Sequence, residues 1–242
     1  MMSGDPLADA HERYAAEASA LVDLVAVMDR LRSPGGCPWD AEQTHTSLLP
    51  YAVEEVFEVV EAVEDGDRAA IREELGDLLL QVVFHARVAT EHPTDPFGIA
   101  EVAAGIAAKL RTRHPHVFGD VTVSGAEEVH RNWEAIKKAE KARESALDGI
   151  PRGLPALARA QKVAGRARRA GLPVDAVATA VVGGETGRVA AEGLGRRLLA
   201  LALDAQAAGV DAEAALRSAV RELETGLRAA EADGTGAAGP PA

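Results

Sequence analysis

Two amphipathic stretches joined by a three-residue turn constrain the fold of this chain more than any other feature. In residues 51–64 and about 68–90, apolar residues recur at three- and four-residue steps, the period of an α-helix. Gly66 can cap the first helix and Asp67 the second. A turn this short makes the two helices antiparallel neighbours. The apolar positions of the second helix are expected to be buried: Ile71, Leu75, Leu78, Leu79, Val82 and Ala86.

The rest of the chain has the same helical character. Asp40 and Gln43 have the spacing of a capping box for a short helix toward Leu49, and Pro50 is expected to break or restart the chain. Aromatic residues make up 3% of a chain that is 47% hydrophobic, which favours packed helices over sheets. We therefore predict an all-α fold, with further helices over residues 9–32, 98–113 and 126–144, and over much of 156–231.

Charge and cysteine content limit the cellular compartment and the classes of partner that are expected. A formal net charge of -12 repels nucleic acid and acidic membranes, so neither is expected as a partner. Cys37 is the one cysteine, which excludes a disulfide framework and suits a reducing compartment. The sequence shows neither the roughly 20-residue apolar run of a membrane span nor a secretory signal. A cytoplasmic protein is expected.

Carboxylates are concentrated on the two helices of the hairpin. The first helix carries EEVFE at 54–58 and the second EELGD at 73–77. Helical spacing puts Glu55 with Glu58 on one face, and Glu74 with Asp77 on another, and antiparallel packing can bring the two pairs together. An isolated acidic run is usually only a solvated face. Here no Lys or Arg lies within residues 51–64 to offset the charge, and Gly76 interrupts the second helix between two of the acids.

Converging carboxylates without Cys or His make a site for a hard cation. Mg²⁺ is the expected ion and Mn²⁺ can substitute, because both prefer oxygen ligands. Mg²⁺ also binds phosphate oxygens, which provides a template for hydrolysing a phosphoanhydride. Acids at or beside the ion can orient a water or act as a general base, and the catalytic candidates are Glu54, Glu58 and Glu73.

The motifs around these acids resemble those of a known family. In chain order they are GGCPWDAEQTHTSLLPY, EEVFE, EELGDLLLQVVFHA, KLRTRHPHVFGD and NWEAIKKAEK. They closely resemble MazG nucleoside triphosphate pyrophosphohydrolases from about Leu31 to Lys141, and the resemblance continues through DGIPRGLPALARAQKVAGRARRAG. It implies an all-α NTP pyrophosphatase fold, assembly as a homodimer or larger homo-oligomer, and cleavage of NTP or dNTP to the monophosphate and pyrophosphate, as in nucleotide-pool housekeeping.

The resemblance also implies roles for individual residues. The metal ligands of the family fall on Glu55, Glu58, Glu74 and Asp77, and its nucleotide-contacting positions on Lys109, Arg113, Trp133 and Lys137. Spacing alone puts Lys109 and Arg113 one helical turn apart, as it does Trp133 and Lys137. Such residues would suit a nucleotide, because the cations can bind its phosphates and the indole of Trp133 can stack on its base. The alternatives are ordinary surface cations and, for Trp133, a core or interface anchor.

The sequence predicts two domains, 1–150 and 151–242. The second resembles a degenerate repeat of the first. Gly193 and Arg196 stand at the positions of Glu74 and Asp77, and Glu222 and Gly226 stand at those of the family's Lys and Arg. We expect it to be a structural helical repeat, with a disordered tail from about residue 232.

Two other functions remain open at this point. Because its second half is degenerate, the chain could instead be a catalytically weak nucleotide-binding or regulatory helical module. Glu42 with His45, and Glu127 with His130, have the Glu-x-x-His spacing of di-iron bundles, although the first pair lies in a short segment rather than on a long core helix. Asp40 is interpreted as a helix cap, and His114 and His116 as parts of a structural turn.

Overall fold

The computed structural model describes residues 9–129, 132, 133, 136, 145–182 and 191–232. Regular structure in these ranges is entirely helical, which confirms the predicted all-α fold. None of the helices there combines the length and apolar character that a membrane crossing requires. The chain divides into two compact units, Met1–Ile136 and Lys137–Ala242.

The first unit is built around two long antiparallel helices. Seven of its helices have defined bounds: α1 (Ala10–Arg13), α2 (Ala15–Arg32), α3 (Pro38–Glu42), α4 (His45–Asp65), α5 (Arg68–Ala89), α6 (Ile99–Arg113) and α7 (Pro115–Phe118). α4 and α5 form the most extensive helix pair, and α5 also packs against α2 and α6. Beyond α7, the described residues 126–129, 132, 133 and 136 are helical.

The predicted turn between α4 and α5 is confirmed at both of its caps. Gly66 has a φ of 71° and its N–H donates to the carbonyls of Ala62 and Val63. This left-handed conformation favours glycine because a Cβ would be strained there. Asp67 accepts hydrogen bonds from the N–H groups of Ala69 and Ala70. These two residues end one helix and start the next, so the hairpin is encoded locally.

The start of α4 differs from the expectation. α4 begins at His45 and runs through Pro50, which was expected to break the chain, and its capping box joins Thr44 and Ser47 rather than Asp40 and Gln43. Asp40 itself lies inside α3 and does not cap it. A proline inside a helix removes one hydrogen bond, here the one that the carbonyl of Thr46 would accept. Thr46 and Pro50 are both exposed, so water can serve that carbonyl.

The core of this unit lies between α2, α4 and α5. Met28, Leu48, Val83 and Phe84 form a buried cluster, against which pack Leu24, Val25, Leu80, Val88 and Ile99. The expectation that the whole apolar stripe of α5 is buried was wrong for three positions, because Leu75, Leu79 and Val82 are exposed. Nothing in the described part of the first unit covers that side of the hairpin, and α4 exposes Val53, Val56 and Val63 as well.

The second unit is also helical. Its helices are α8 (Ala156–Arg169), α9 (Val174–Val182), α10 (Ala191–Ala207) and α11 (Ala212–Ala232). α8 packs against the other three, with Ala164, Gly165 and Ala167 buried. Gln161 ties α8 to the start of α11, since its amide donates to the carbonyl of Val210 and accepts from the N–H of Ala212. The tail predicted to be disordered lies almost wholly outside the described residues.

Candidate functional site

Three carboxylates from the two helices of the hairpin converge. Each of Glu55 and Glu58 on α4 and Glu74 on α5 offers a carboxylate oxygen, and these three oxygens lie within 4.8 Å of one another. Glu55 and Glu58 share a face because they are three residues apart on one helix, and α5 brings Glu74 across from them. The arrangement presents hard oxygen donors from two rigid elements, which is the type of ligand that Mg²⁺ and Mn²⁺ prefer.

The cluster carries more negative charge than its surroundings balance. The pKa of Glu58 is raised above its ordinary value, first by partial loss of contact with water, then by a hydrogen bond with Glu55 and by the negative charges around it: Glu55, Glu54 and Asp77. The pKa of Glu74 is raised by the same loss of water and by Glu58, Asp77, Glu73 and Glu61. Ionised carboxylates this close repel one another, and a cation would relieve the repulsion.

Asp77 and the two flanking acids lie beside the cluster. Asp77 is exposed and is not part of the group of three oxygens, although its charge raises the pKa of both Glu58 and Glu74. Glu54 and Glu73 are exposed and act on the same two groups. At Gly76, a Cβ would meet nothing within 4 Å, so no helix in the described part of the chain approaches closely enough there to explain a glycine.

Gln81 contacts the acid cluster from the buried side and was not assigned a role from the sequence. It is 7% exposed, and its Nε2 atom donates to Oε1 of Glu55 at 3.4 Å. Its own Oε1 atom is buried without a hydrogen-bond partner among the described residues. Position 81 follows Asp77 by one helical turn, which was the available signal that it shares the acidic face of α5.

The predicted nucleotide-contacting residues lie on and after α6. Lys109 is exposed and Arg113 half-buried at the C-terminal end of that helix. α6 packs against α5 and α7 and, within the described ranges, makes no contact with α4. The ring of Trp133 lies 6.1 Å from that of His114. Lys109 and Arg113 are one helical turn apart on α6, and Lys137 lies outside the described residues.

The turn after α6 is organised by histidine. The ring of His114 lies with its Nδ1 atom 2.7 Å from the carbonyl oxygen of Leu110, and its own carbonyl accepts from the N–H groups of Val117 and Phe118. The ring of His116 lies 5.6 Å from that of His114. These contacts agree with the interpretation of the two histidines as parts of a structural turn.

The residues of the di-iron alternative do not form a cluster within the described part of the chain. Glu42 ends α3 on the surface, and His45 starts α4, where its Nδ1 atom lies 2.8 Å from that of His85. Neither belongs to the only described group of three potential metal ligands, which is the glutamate cluster. His130 lies outside the described residues.

The second unit presents no comparable cluster in its described residues. Gly193 and Arg196 lie on α10, and Glu222 and Gly226 on α11. None of the described side chains of this unit joins a group of three potential ligands. The glutamate cluster of the first unit is therefore the candidate site of this chain.

Comparison with known proteins identifies the family. Residues 43–118 match the family described as the MazG nucleotide pyrophosphohydrolase domain, and this segment contains α4–α7 with the whole glutamate cluster. An uncharacterised 26.1 kDa protein of Streptomyces cacaoi is 48% identical over 219 residues, which cover 90% of this chain and 85% of that protein.

Other relatives bear the name nucleoside triphosphate pyrophosphohydrolase. The protein of Mycobacterium tuberculosis is 43% identical over 211 residues, covering 87% of this chain and 58% of the relative. That of Escherichia coli K12 is 49% identical over 152 residues, covering 61% of this chain and 57% of the relative. The chain thus spans a little over half the length of these named relatives. It belongs to the MazG family of nucleotide pyrophosphohydrolases.

Proposed function

We propose that this chain hydrolyses nucleoside triphosphates, NTP or dNTP, to the monophosphate and pyrophosphate in a Mg²⁺-dependent reaction, as part of nucleotide-pool housekeeping. The observation that carries the proposal is the convergence of Glu55, Glu58 and Glu74 within the segment that matches the family. Relatives that bear the name of this activity support it. The substrate is then the nucleotide itself, and neither nucleic acid nor a membrane is needed.

The residues of the cluster fit a divalent cation on three grounds. All the donors are carboxylate oxygens, which suit Mg²⁺, with Mn²⁺ as a substitute. The pKa values of Glu58 and Glu74 are raised by partial loss of contact with water and by neighbouring carboxylates, and a cation would offset the second cause. A buried amide oxygen of Gln81 lies beside Glu55 without a partner among the described residues. When bound, the ion would neutralise the triphosphate and lower the pKa of an attacking water.

Each predicted residue has a place in this proposal. Glu55, Glu58, Glu74 and Asp77 hold the ion, with Asp77 turning toward it from its exposed position. Glu54 and Glu73 flank the ligands, and together with Glu58 they orient the attacking water or accept its proton. Lys109 and Arg113 neutralise the phosphates from α6, and Trp133 with Lys137 contacts the nucleotide.

We also propose that the chain works as a homodimer or a larger homo-oligomer. Exposed apolar side chains mark interaction sites where they lie together, and both helices of the hairpin expose valine or leucine: Val53, Val56, Val63, Leu75, Leu79 and Val82. A second copy of the chain would cover these side chains, in keeping with the homodimer that the resemblance to MazG enzymes implies. We place the enzyme in the cytoplasm, where its single cysteine stays reduced.

A substrate panel tests the proposal. Pyrophosphate release is measured with the four common NTPs and the four dNTPs, in Mg²⁺, in Mn²⁺ and after chelation with EDTA. We expect turnover of at least one nucleotide, which disappears with EDTA and in the Asp77→Asn variant. Asp65→Asn, an exposed acid at the end of α4 away from the cluster, is the matched control and should keep full activity.

The alternative of a catalytically weak regulatory module gives a different result in the same assay. Nucleotide binding without pyrophosphate release under every condition would favour it. The replacement of ligand types by Gly193 and Arg196 in the second unit is the observation behind this alternative.

A further inference from the structure

We propose that Gln81 is a positioning residue that fixes the carboxylate of Glu55 for cation binding. The inference rests on the proposed metal-dependent function and adds to it a residue behind the acids themselves. Gln81 contacts the cluster from the interior of the hairpin. Unlike the carboxylates, its amide carries no charge and can donate a hydrogen bond.

The position of Gln81 on α5 connects the core to the acids. It follows Glu74 by seven residues and Asp77 by four, so the three side chains share one face of the helix. Val83 and Phe84, two and three residues further along α5, belong to the buried core of the unit. A side chain that is 7% exposed at this point is held by packing on its stem, while its amide end reaches Glu55 on α4.

The orientation of the amide is determined by Glu55. Nε2 of Gln81 donates to Oε1 of Glu55 at 3.4 Å. The reverse orientation would place the amide oxygen against a carboxylate oxygen, two acceptors with no proton between them. The amide nitrogen is therefore committed to Glu55, which limits the rotation of that carboxylate and leaves it facing Glu58 and Glu74.

The unsatisfied oxygen of Gln81 argues against a purely structural role. Oε1 is buried with no hydrogen-bond partner among the described residues, and a buried polar atom without a partner destabilises the fold. Gln43, the other buried glutamine of this unit, has partners for both amide atoms: Nε2 donates to the carbonyl of Trp39 and Oε1 accepts from the hydroxyl of Ser47. An apolar residue would pack better at position 81, whereas a water held by a cation would give this oxygen a donor.

Substituting a residue that orients a metal ligand lowers the affinity for the ion and leaves the stability of the fold largely unchanged. Loss of such an outer contact typically weakens metal binding about 10–100-fold. The role of Gln81 is therefore isolated by measuring two quantities in each variant: the affinity for the ion alone and the stability of the metal-free chain. Neither measurement needs a nucleotide or turnover.

The test uses the full chain and Mn²⁺ as the probe. The Mn²⁺ dissociation constant is measured by the electron paramagnetic resonance signal of the free ion, and Tm is measured without metal. In Gln81→Met, which keeps the length of the side chain but has no amide, we expect affinity to fall about 10-fold or more while Tm stays equal or rises. The matched control Gln43→Met should lower Tm, because it removes the hydrogen bonds of Gln43 to the carbonyl of Trp39 and the hydroxyl of Ser47, and it should keep the Mn²⁺ affinity.

A second variant covers the case in which Gln81→Met does not fold. Gln81→Asn keeps the amide but withdraws it by one methylene, and it should show the same loss of affinity. If the unaltered chain binds no Mn²⁺, the metal site fails and this inference fails with it. If the unaltered chain binds Mn²⁺ and the folded Gln81 variant binds it within twofold as tightly, Gln81 has no positioning role although the metal site stands.

Discussion

The imidazole rings of His45 and His85 are stacked, with an interplanar angle of 7° and their Nδ1 atoms 2.8 Å apart. His45 is the first residue of α4, and His85 lies near the end of α5, so the pair joins the two helices at the open end of the hairpin. At this distance one nitrogen must carry a proton and the other must accept it. The contact holds only while the pair carries at most one extra proton.

This pair should make the stability of the first unit sensitive to mild acid. The pKa of His85 is lowered from its ordinary value of 6.5, first by burial and then by the charge of His45. A histidine with a lowered pKa binds fewer protons in the folded than in the unfolded state, so the stability it contributes is lost as pH falls below 6.5. We expect the free energy of unfolding to decrease between pH 7.5 and 5.5, and to decrease less in the double variant His45→Phe/His85→Phe.

Urea denaturation at the two pH values measures this difference. Comparing variant with unaltered chain cancels the contribution of the carboxylates, which is common to both proteins. Equal changes with pH in the two proteins would show that the histidine pair does not sense pH.

The raised pKa values of Glu58 and Glu74 make the opposite prediction for the metal-free chain. An acid with a raised pKa binds more protons folded than unfolded, so it destabilises the fold as pH rises from 4.5 through its raised value. A cation that binds the folded state relieves this repulsion and adds its binding free energy. We expect Mn²⁺ to raise Tm at pH 8 and to raise it much less at pH 5.5, where protons compete for the carboxylates.

Glu58→Gln provides the control for this effect. The variant removes one charge of the cluster, so its metal-free Tm at pH 8 should exceed that of the unaltered chain, and Mn²⁺ should change it little. A Mn²⁺-induced rise of the same size in both proteins would exclude Glu58 from the site.

Lys109 should contribute more to substrate affinity than Arg111, which lies on the same helix. If it neutralises a phosphate, Lys109→Ala removes a charge-assisted contact of about 1.5–3 kcal/mol, which corresponds to a rise in KM of about 10–100-fold. Arg111 lies on the same helix but two residues away, on another face, and Arg111→Ala is the matched control. Steady-state kinetics with the best substrate of the panel measure both variants, and equal KM values would remove Lys109 from the site.

Arg32 and Glu91 should stabilise the first unit independently of the site. The guanidinium of Arg32, 6% exposed, donates to both oxygens of Glu91 at 2.8 and 2.9 Å. Hydrogen bonding to Arg32 is the largest cause of the lowered pKa of Glu91, so the stability this acid contributes is present above pH 4.5 and is lost as pH falls through its lowered pKa.

Replacing Glu91 tests this contribution. Glu91→Ala leaves the buried guanidinium without its carboxylate and should lower the free energy of unfolding at pH 7 by about 1–2 kcal/mol, discounted because Glu91 is partly exposed. Asp23→Asn, an exposed acid on α2, should have no effect. Urea denaturation measures both, and a loss no larger than that of the control would contradict the assignment.

The hairpin was predictable because its signals are local. Gly66 and Asp67 determine the turn, and the three- and four-residue steps determine which faces are apolar and which acidic. Pro50 was misinterpreted because the cost of a proline depends on whether the carbonyl it leaves unpaired can reach water, as that of Thr46 can. The exposure of Leu75 and Leu79 was missed because periodicity shows that a face is apolar and does not show what covers it.

The contacts of Gln81 and His85 were out of reach for a different reason. Each depends on a partner on α4, Glu55 in one case and His45 in the other, 26 and 40 residues away in the chain. A helical pattern gives the face on which a side chain lies, but the rotation of one helix against another decides which side chains meet. The convergence of Glu55, Glu58 and Glu74 was predicted because helical spacing puts acids on one face of each helix and because the surrounding motifs resemble those of a known family.

The rigid turn at Gly66 also restricts how this gene can change. Each residue of an α-helix advances the next side chain by about 100°, since a turn contains 3.6 residues. One codon inserted or deleted between Asp67 and Glu74 would therefore swing Glu74 to another side of α5, away from Glu55 and Glu58, while leaving every ligand in the translated sequence. A point substitution between Asp67 and Glu74 keeps the register of Glu74, whereas a change in the length of this segment does not.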